Sequence, residues 1–215
     1  VAQCCRLIDY GTVESSYEGK TTSARKVQIG WELLDSQVRR SDGAPFVLSR
    51  RFTMSLHENS ALRPVLVGWR GVEFTKDELK KFDLKNVLGK LAMLTVVHQT
   101  RGDKSFANIQ SVSRPPRGMQ GAAPAGEPLL HLDLSEPTPD WSVFDHLASK
   151  QIDQICSSPE FLAHPNKPTW FKAAAPAPAP ARPAPPPARP TAPAGGPPPG
   201  QFPDEDFADF SDVPF

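Results

Sequence analysis

The 215 residues are enough for one good-sized domain with extensions, and the chain shows neither a signal peptide nor an apolar run of membrane-spanning length, so no membrane contact is expected. The formal net charge of zero hides a split: residues 1–118 carry 19 Lys and Arg against 12 Asp and Glu, while residues 119–215 carry 5 against 12. A basic body joined to an acidic remainder argues for a polyanionic partner.

Five strand-like segments can be read in the first 113 residues. Residues 1–10 form the first, with a turn expected around 15–19. The adjacent Cys4 and Cys5 alternate across that strand, which makes at least one of them a small core residue. Residues 25–35, "RKVQIGWELLD", place Val27, Ile29, Trp31 and Leu33 on one face at period two. Residues 46–56, "FVLSRRFTMSL", alternate Phe46, Leu48, Arg50, Phe52 and Met54 against Val47, Ser49, Arg51, Thr53 and Ser55. The "SDGAP" turn at 41–45 joins these two strands as a hairpin.

A helical stretch follows. Ser60 is placed to cap a short helix running through Trp69, with Pro64 near its start and Gly71 near its end. "TKDE" at 75–78 is a capping-box pattern opening a second short helix toward Phe82. Residues 90–99 and 105–113 read as the fourth and fifth strands, joined by the turn "TRGDK". Three strands, a helical insertion and two more strands is the order of an OB-fold. The expected class is therefore mainly β: an OB-fold-like five-stranded barrel with a helical insertion between the third and fourth strands, whose open face is a common site for single-stranded nucleic acid.

Past Pro115 and Pro116 the pattern weakens. Residues 129–134 read as an edge strand, and 142–156 as a helix turning Val143, Leu147, Ile152 and Ile155 toward the body. Twelve of the 25 prolines fall within 176–199, so 173–203 is expected to be a disordered, extended linker with polyproline II character. The chain ends "DEDFADFSDVPF", with five carboxylates and three phenylalanines. Solubility needs charge and gains nothing from terminal aromatic rings. A terminal Phe beside its own carboxylate fits a small pocket with a basic rim. The expected organisation is a nucleic-acid-binding domain at 1–118, an extension at 119–172 whose helix packs on the barrel, the linker, and an interaction tip at 204–215.

Constellations for catalysis are scarce. The five histidines are scattered without metal-ligand spacing, no phosphate-cradling glycine motif is present, and Cys4, Cys5 and Cys156 offer neither a CxxC pair nor a disulfide framework. No cofactor or metal is expected, and a reducing cytoplasm fits the thiols. Basic residues cluster where an OB-fold grips a strand: Lys20, Arg25 and Lys26 near the first hairpin, and Arg101 and Lys104 at the last. Arg39 and Arg40 precede the "SDGAP" turn, and Arg50 and Arg51 lie in the third strand. Phe106 is the leading candidate for base stacking, because Ala107 and Ile109 form the inward set of its strand. Phe52 shares a face with Arg50, and Trp31, though in register with core residues, joins the candidate set.

The stretch "ARKVQIGWELLD…PFVLSRRFTMSLHENSALRPVLVGWRGVEFT…FDLKNVLGKLAMLTVVHQ…FANIQSV" resembles phage and prophage replication-associated proteins described as single-stranded DNA-binding or replication initiation proteins, over about residues 1–115. The tip independently resembles that of bacterial single-stranded DNA-binding proteins, in which an acidic segment closes on Asp, a hydrophobic residue, Pro and Phe. Asp212, Val213, Pro214 and Phe215 match that pattern, with Asp209 and Phe210 just ahead, although Phe207 and Phe210 make this tip more aromatic. The resemblance implies that Phe215 enters a pocket on a replication, recombination or repair protein, with Asp212 and the terminal carboxylate at a basic rim.

The expected function is a non-enzymatic single-stranded DNA-binding protein in the cytoplasm of a bacterial host cell. It coats the strand largely without sequence preference and recruits partners through its tip, and homo-oligomers are compatible with it. A protein-binding adaptor and a duplex origin-binding initiator are the alternatives; the initiator needs a groove-reading helix rich in basic residues. The chain opens on Val1 inside a strand, so a short preceding segment is expected.

Overall fold

A computed structural model of the chain describes residues 1–17, 19–116, 118 and 126–168. The first hairpin dominates the architecture. Strands β1 (Ala2–Tyr17) and β2 (Lys20–Leu33) pair antiparallel over their whole lengths, from Ala2 opposite Leu33 to Tyr17 opposite Lys20. Residues 11–17 and 20–24 extend the ladder past the expected strand ends, up to a turn within the span expected for it. Val13 packs against the outer core and Thr12 donates to Glu160, whereas residues 14–16 and 21–23 are exposed, so main-chain pairing sustains that farther part of the arm.

Strand β3 (Val47–Thr53) pairs with β2, and β4 (Leu91–Arg101) with β5 (Lys104–Ser113), both antiparallel. The order is β3-β2-β1-β4-β5, and β1 joins β4 through only Ala2–Ala92 and Gln3–Leu91. No ladder joins β3 to β5 among the described residues, so the pairing gives an open antiparallel sheet and not a closed barrel. The two end strands do approach each other. Arg50 on β3 donates from Nη1 to the Ile109 carbonyl on β5 at 3.3 Å.

Period two decides what lies inside. Val27, Ile29 and Trp31 of β2 are buried with Cys4 and Leu7 of β1, Phe52 of β3, and Ile109 and Val112 of β5. Helix α1 (Leu62–Arg70) lays Leu62, Val65, Leu66 and Trp69 onto this core. Trp69 packs 5.7 Å from Trp31 between ring centroids and donates its indole N–H to the Leu91 carbonyl at 2.6 Å. Gly68 lets α1 meet β5, since a Cβ there would stand 2.7 Å from the Val112 carbonyl oxygen. Ser60 is one residue outside the N-cap, which is Ala61, and its hydroxyl accepts from the Arg63 amide at 3.3 Å. The helix ends at Gly71, whose φ of 76° is the left-handed cap that favours glycine. Thr75 and Glu78 form a reciprocal capping box at α2 (Lys76–Lys81).

The second half of the unit is built on the other face of β1. Strand β6 (Leu130–Leu132) pairs with Arg6–Ile8 of β1 in parallel. The expected helix over 142–156 is two pieces, a 3-10 turn at Trp141–His146 capped by Asp140 and helix α3 (Ser149–Cys156). Leu147 and Ala148 between them are extended, with ψ of 150° at both, which ends the first piece. With α4 (Pro159–Ala163), these elements bury Leu132, Val143, Phe144, Ile155 and Phe161 against Ile8 and Tyr10. Residues 2–11 of β1 are thus covered on both faces, which explains their nearly continuous burial. Cys5, the bulged residue between the pairs Cys4–Trp31 and Arg6–Gly30, is buried like Cys4 and Cys156. Burial pushes the thiols of Cys5 and Cys156 up to about 11 and that of Cys4 higher still. No helix among the described residues is long and apolar enough to cross a membrane.

Candidate nucleic-acid interface

The outer face of β2 and β3 is open where that of β1 is sealed. Its register places Lys26 opposite Thr53, Gln28 opposite Arg51 and Gly30 opposite Ser49. Lys26 donates from Nζ to the Thr53 hydroxyl at 2.9 Å, and Gln28 donates from Nε2 to the Ser49 hydroxyl at 2.6 Å. Two cations, an amide and two hydroxyls therefore share one surface. Among the described residues no carboxylate pairs with Lys26 or Arg51. The acidic residue of β2, Glu32, is buried at the other end of the strand, where its carboxylate accepts from the main-chain N–H groups of Gly126 and Glu127 at 2.8 and 3.0 Å.

Arg51 is held from below. Its Cζ lies 3.9 Å from the centroid of the Tyr10 ring. The Tyr10 hydroxyl donates to Gln28 Oε1 at 2.5 Å and accepts from Gln151 Nε2 of α3 at 2.7 Å, and the same Nε2 reaches Gln28 Oε1 at 2.9 Å. Burial pushes the Tyr10 phenol up, while Arg51 and Gln151 pull the other way. A closed triangle of hydrogen bonds thus fixes the ring beneath the guanidinium, and one corner comes from the extension.

Several sequence-derived candidates lie elsewhere. Trp31 and Phe52 are buried at 0% and 3% exposure, so both are core and neither can receive a base. Their parity with Ile29 and Leu48 outweighs their aromatic character. Arg50 shares that inward parity, and its guanidinium lies 5.1 Å from the Phe52 ring at the approach of β3 to β5. Arg25 is committed to carboxylates. It forms a bidentate pair with Asp9, which is 1% exposed, and reaches Asp133 at 3.4 Å, so its charge is neutralised within the protein. Arg40 pairs with Asp42 at 3.2 Å on the surface, and Arg39 is half-buried at a β-bridge to Pro45. Phe106 is half-buried, opposite Gln99 on β4.

Lys20, Arg101 and Lys104 occupy the hairpin ends by backbone register, Lys20 opposite Tyr17 and Arg101 opposite Lys104; their side chains fall outside the described set. The linker at 173–203 and the tip residues Asp209, Phe210, Asp212, Val213, Pro214 and Phe215 also lie outside the described residues. Tyr10, Gln28, Ser49 and Gln151 were not singled out by the sequence. Polar residues at outward parity on β2 and β3 were the available signal for Gln28 and Ser49.

Two other places bring together residue types that a ligand site uses. His131, Asp133 and Glu136 bring ligand atoms within 4.8 Å of one another. Asp133 is already engaged by Arg25 and Ser135, and Glu136 by Lys85 at 3.1 Å, so both carboxylates have partners within the protein. A cleft of about 390 Å³ beside α2 is floored by Phe74 and Phe82 and rimmed by Arg70, Asp77, Glu78 and Lys81. Arg70 and Glu78 pair across its rim, which leaves no single sign of charge to select a ligand.

Comparison with models of protein families, with curated proteins and with solved structures finds no match to this chain.

Proposed function

We propose that the protein is a non-enzymatic single-stranded DNA-binding protein that holds the strand on the outer face of β2 and β3. The observation that carries this reading is the pair of cations, Lys26 and Arg51, without a carboxylate partner among the described residues, on an open face otherwise lined by an amide and hydroxyls. Such a surface matches a phosphate backbone: point charges for neutralisation and neutral donors for positioning. Two further features support it. The strand order, with α1 between β3 and β4, is compatible with an OB-type barrel opened between its third and fifth strands. In that architecture the face of strands two and three and the hairpins after strands one and four grip oligonucleotides. Lys20, Arg101 and Lys104 stand at those hairpin ends.

On this reading Phe106 adds stacking from β5, and the acidic tip ending in Asp212, Val213, Pro214 and Phe215 recruits replication, recombination or repair proteins to the coated strand. The phage or prophage setting follows from the sequence resemblance. Arg25, Trp31, Arg50 and Phe52 serve the body and not the ligand.

The test is anisotropy of a labelled poly-dT oligonucleotide across a salt series, with matched duplex as competitor. Binding that weakens with salt at about −0.7 in log–log slope per phosphate neutralised, and that resists duplex, is the expected result. A chain lacking residues 203–215 should bind DNA equally or more tightly and lose partner capture. Absence of binding at low salt would refute the reading and favour a protein-binding adaptor.

A further inference from the structure

We infer that Arg51 is a stacking platform for an unpaired base, and not only a phosphate contact. The inference rests on the single-strand reading above and deepens it by stating what the face recognises. Binding of single strands without sequence preference uses flat groups on which bases stack, and an arginine guanidinium serves as well as an aromatic ring. The aromatic candidates of β2 and β3, Trp31 and Phe52, are buried. On the outer face of those strands the one flat cation is Arg51, and its Cζ stands 3.9 Å from the Tyr10 ring centroid, a separation that fits a guanidinium lying on the ring face.

That arrangement has two consequences. Tyr10 is itself 0% exposed, so the ring cannot meet a base directly; it can only hold what lies above it. Arg51 is half-buried, and the Tyr10 ring lies against one side of its guanidinium, so a base could stack only on the opposite side. The ring is fixed by hydrogen bonds to Gln28 and Gln151, and Gln28 is fixed in turn by Ser49. A planar group on an immobile ring loses little freedom when a third flat group stacks on it. Lys26, two register positions along and on the same face, is placed to meet the phosphate beside that base.

Arg51→Lys separates the two roles, because lysine keeps the charge and lacks the plane. Affinities would be measured for the full chain, wild type and R51K, against a dT oligonucleotide and an abasic oligonucleotide of the same length. Thermal melting would check that the variant folds. The expected result is a loss of about tenfold on dT with an unchanged salt slope, and a loss of less than about twofold on the abasic strand. Arg51→Met, which removes the charge as well, should weaken binding to both strands and lower the salt slope by about 0.7. If wild type binds dT and R51K binds it equally well, or loses as much on the abasic strand, the stacking role is overturned while the single-strand reading stands. If wild type binds neither oligonucleotide at low salt, both fall together.

Discussion

The outer face of the sheet is two surfaces that share a backbone and differ in what covers them. Over β1, Ile8 and Tyr10 are sealed beneath Leu132, Val143, Phe144, Ile155 and Phe161. Over β2 and β3, Lys26, Gln28, Ser49, Arg51 and Thr53 remain in contact with solvent. The first half obtains its stability from apolar burial; the second is only half-buried and keeps two charges that no carboxylate among the described residues pairs. The border between them runs through Tyr10, whose ring belongs to the apolar half and carries Arg51 of the polar one. The extension therefore serves the open face by holding its edge still.

The largest effect is expected from emptying the sealed half. Phe161 is 0% exposed, with Trp141 edge-on at 5.5 Å and Phe144 at 6.1 Å between centroids. Phe161→Ala should cost about 3–5 kcal/mol in a denaturant titration. Neighbouring residues of β1 feed both cores, Leu7 the inner and Ile8 the outer. One cooperative transition is therefore expected at the lower midpoint. A separate early transition that leaves the rest of the sheet folded would make the extension an independent layer and break the comparison.

Acid should loosen the same half by less. Burial disfavours ionisation of Glu160, but its bonds from the Thr12 hydroxyl and N–H, together with Arg25, outweigh that and hold the carboxyl below its ordinary value. In Asp133, burial is likewise outweighed by Ser135 and by Arg25. A carboxyl with a lowered folded pKa stabilises above its unfolded value, about 4, and that contribution disappears as pH falls through the folded value. Melting temperature should therefore decline as pH drops from about 5. Glu160→Gln should reduce stability at neutral pH by on the order of 1–2 kcal/mol after screening, and make the acid decline shallower. An unchanged slope would mean that Glu160 does not fasten α4 to β1.

What was legible in the sequence follows the same division. The inner face could be read from period two in "KVQIGWEL", and the capping box at Thr75 from local chemistry alone, because both signals lie within a few residues. The arm at 11–17 and 20–24 could not, since its ladder has no apolar alternation. Arg25 looked available because its buried partner, Asp9, lies on the neighbouring strand beside a bulge. Trp31 and Phe52 show the limit from the other side. Residue type suggested stacking, strand parity placed them inward, and parity prevailed because a buried indole or phenyl ring gains more from the core than from solvent. Tyr10 beneath Arg51 depends on Gln151, a contact across 141 residues that no local pattern encodes.

The smallest effect on stability should accompany a clear effect on binding, and that contrast marks the open half. Lys26 is half-buried, and its one described side-chain bond is to the Thr53 hydroxyl. Lys26→Ala removes no carboxylate's partner and opens no cavity in either core, so stability should change by less than about 0.5 kcal/mol. If Lys26 neutralises a phosphate, the same variant should bind dT more weakly and lower the salt slope by about 0.7, uniformly across sequences. An unchanged slope would assign the polar half to some other ligand. A large fall in stability would mean that Lys26 holds β2 to β3, and that the open face is less separate from the packed one than its burial indicates.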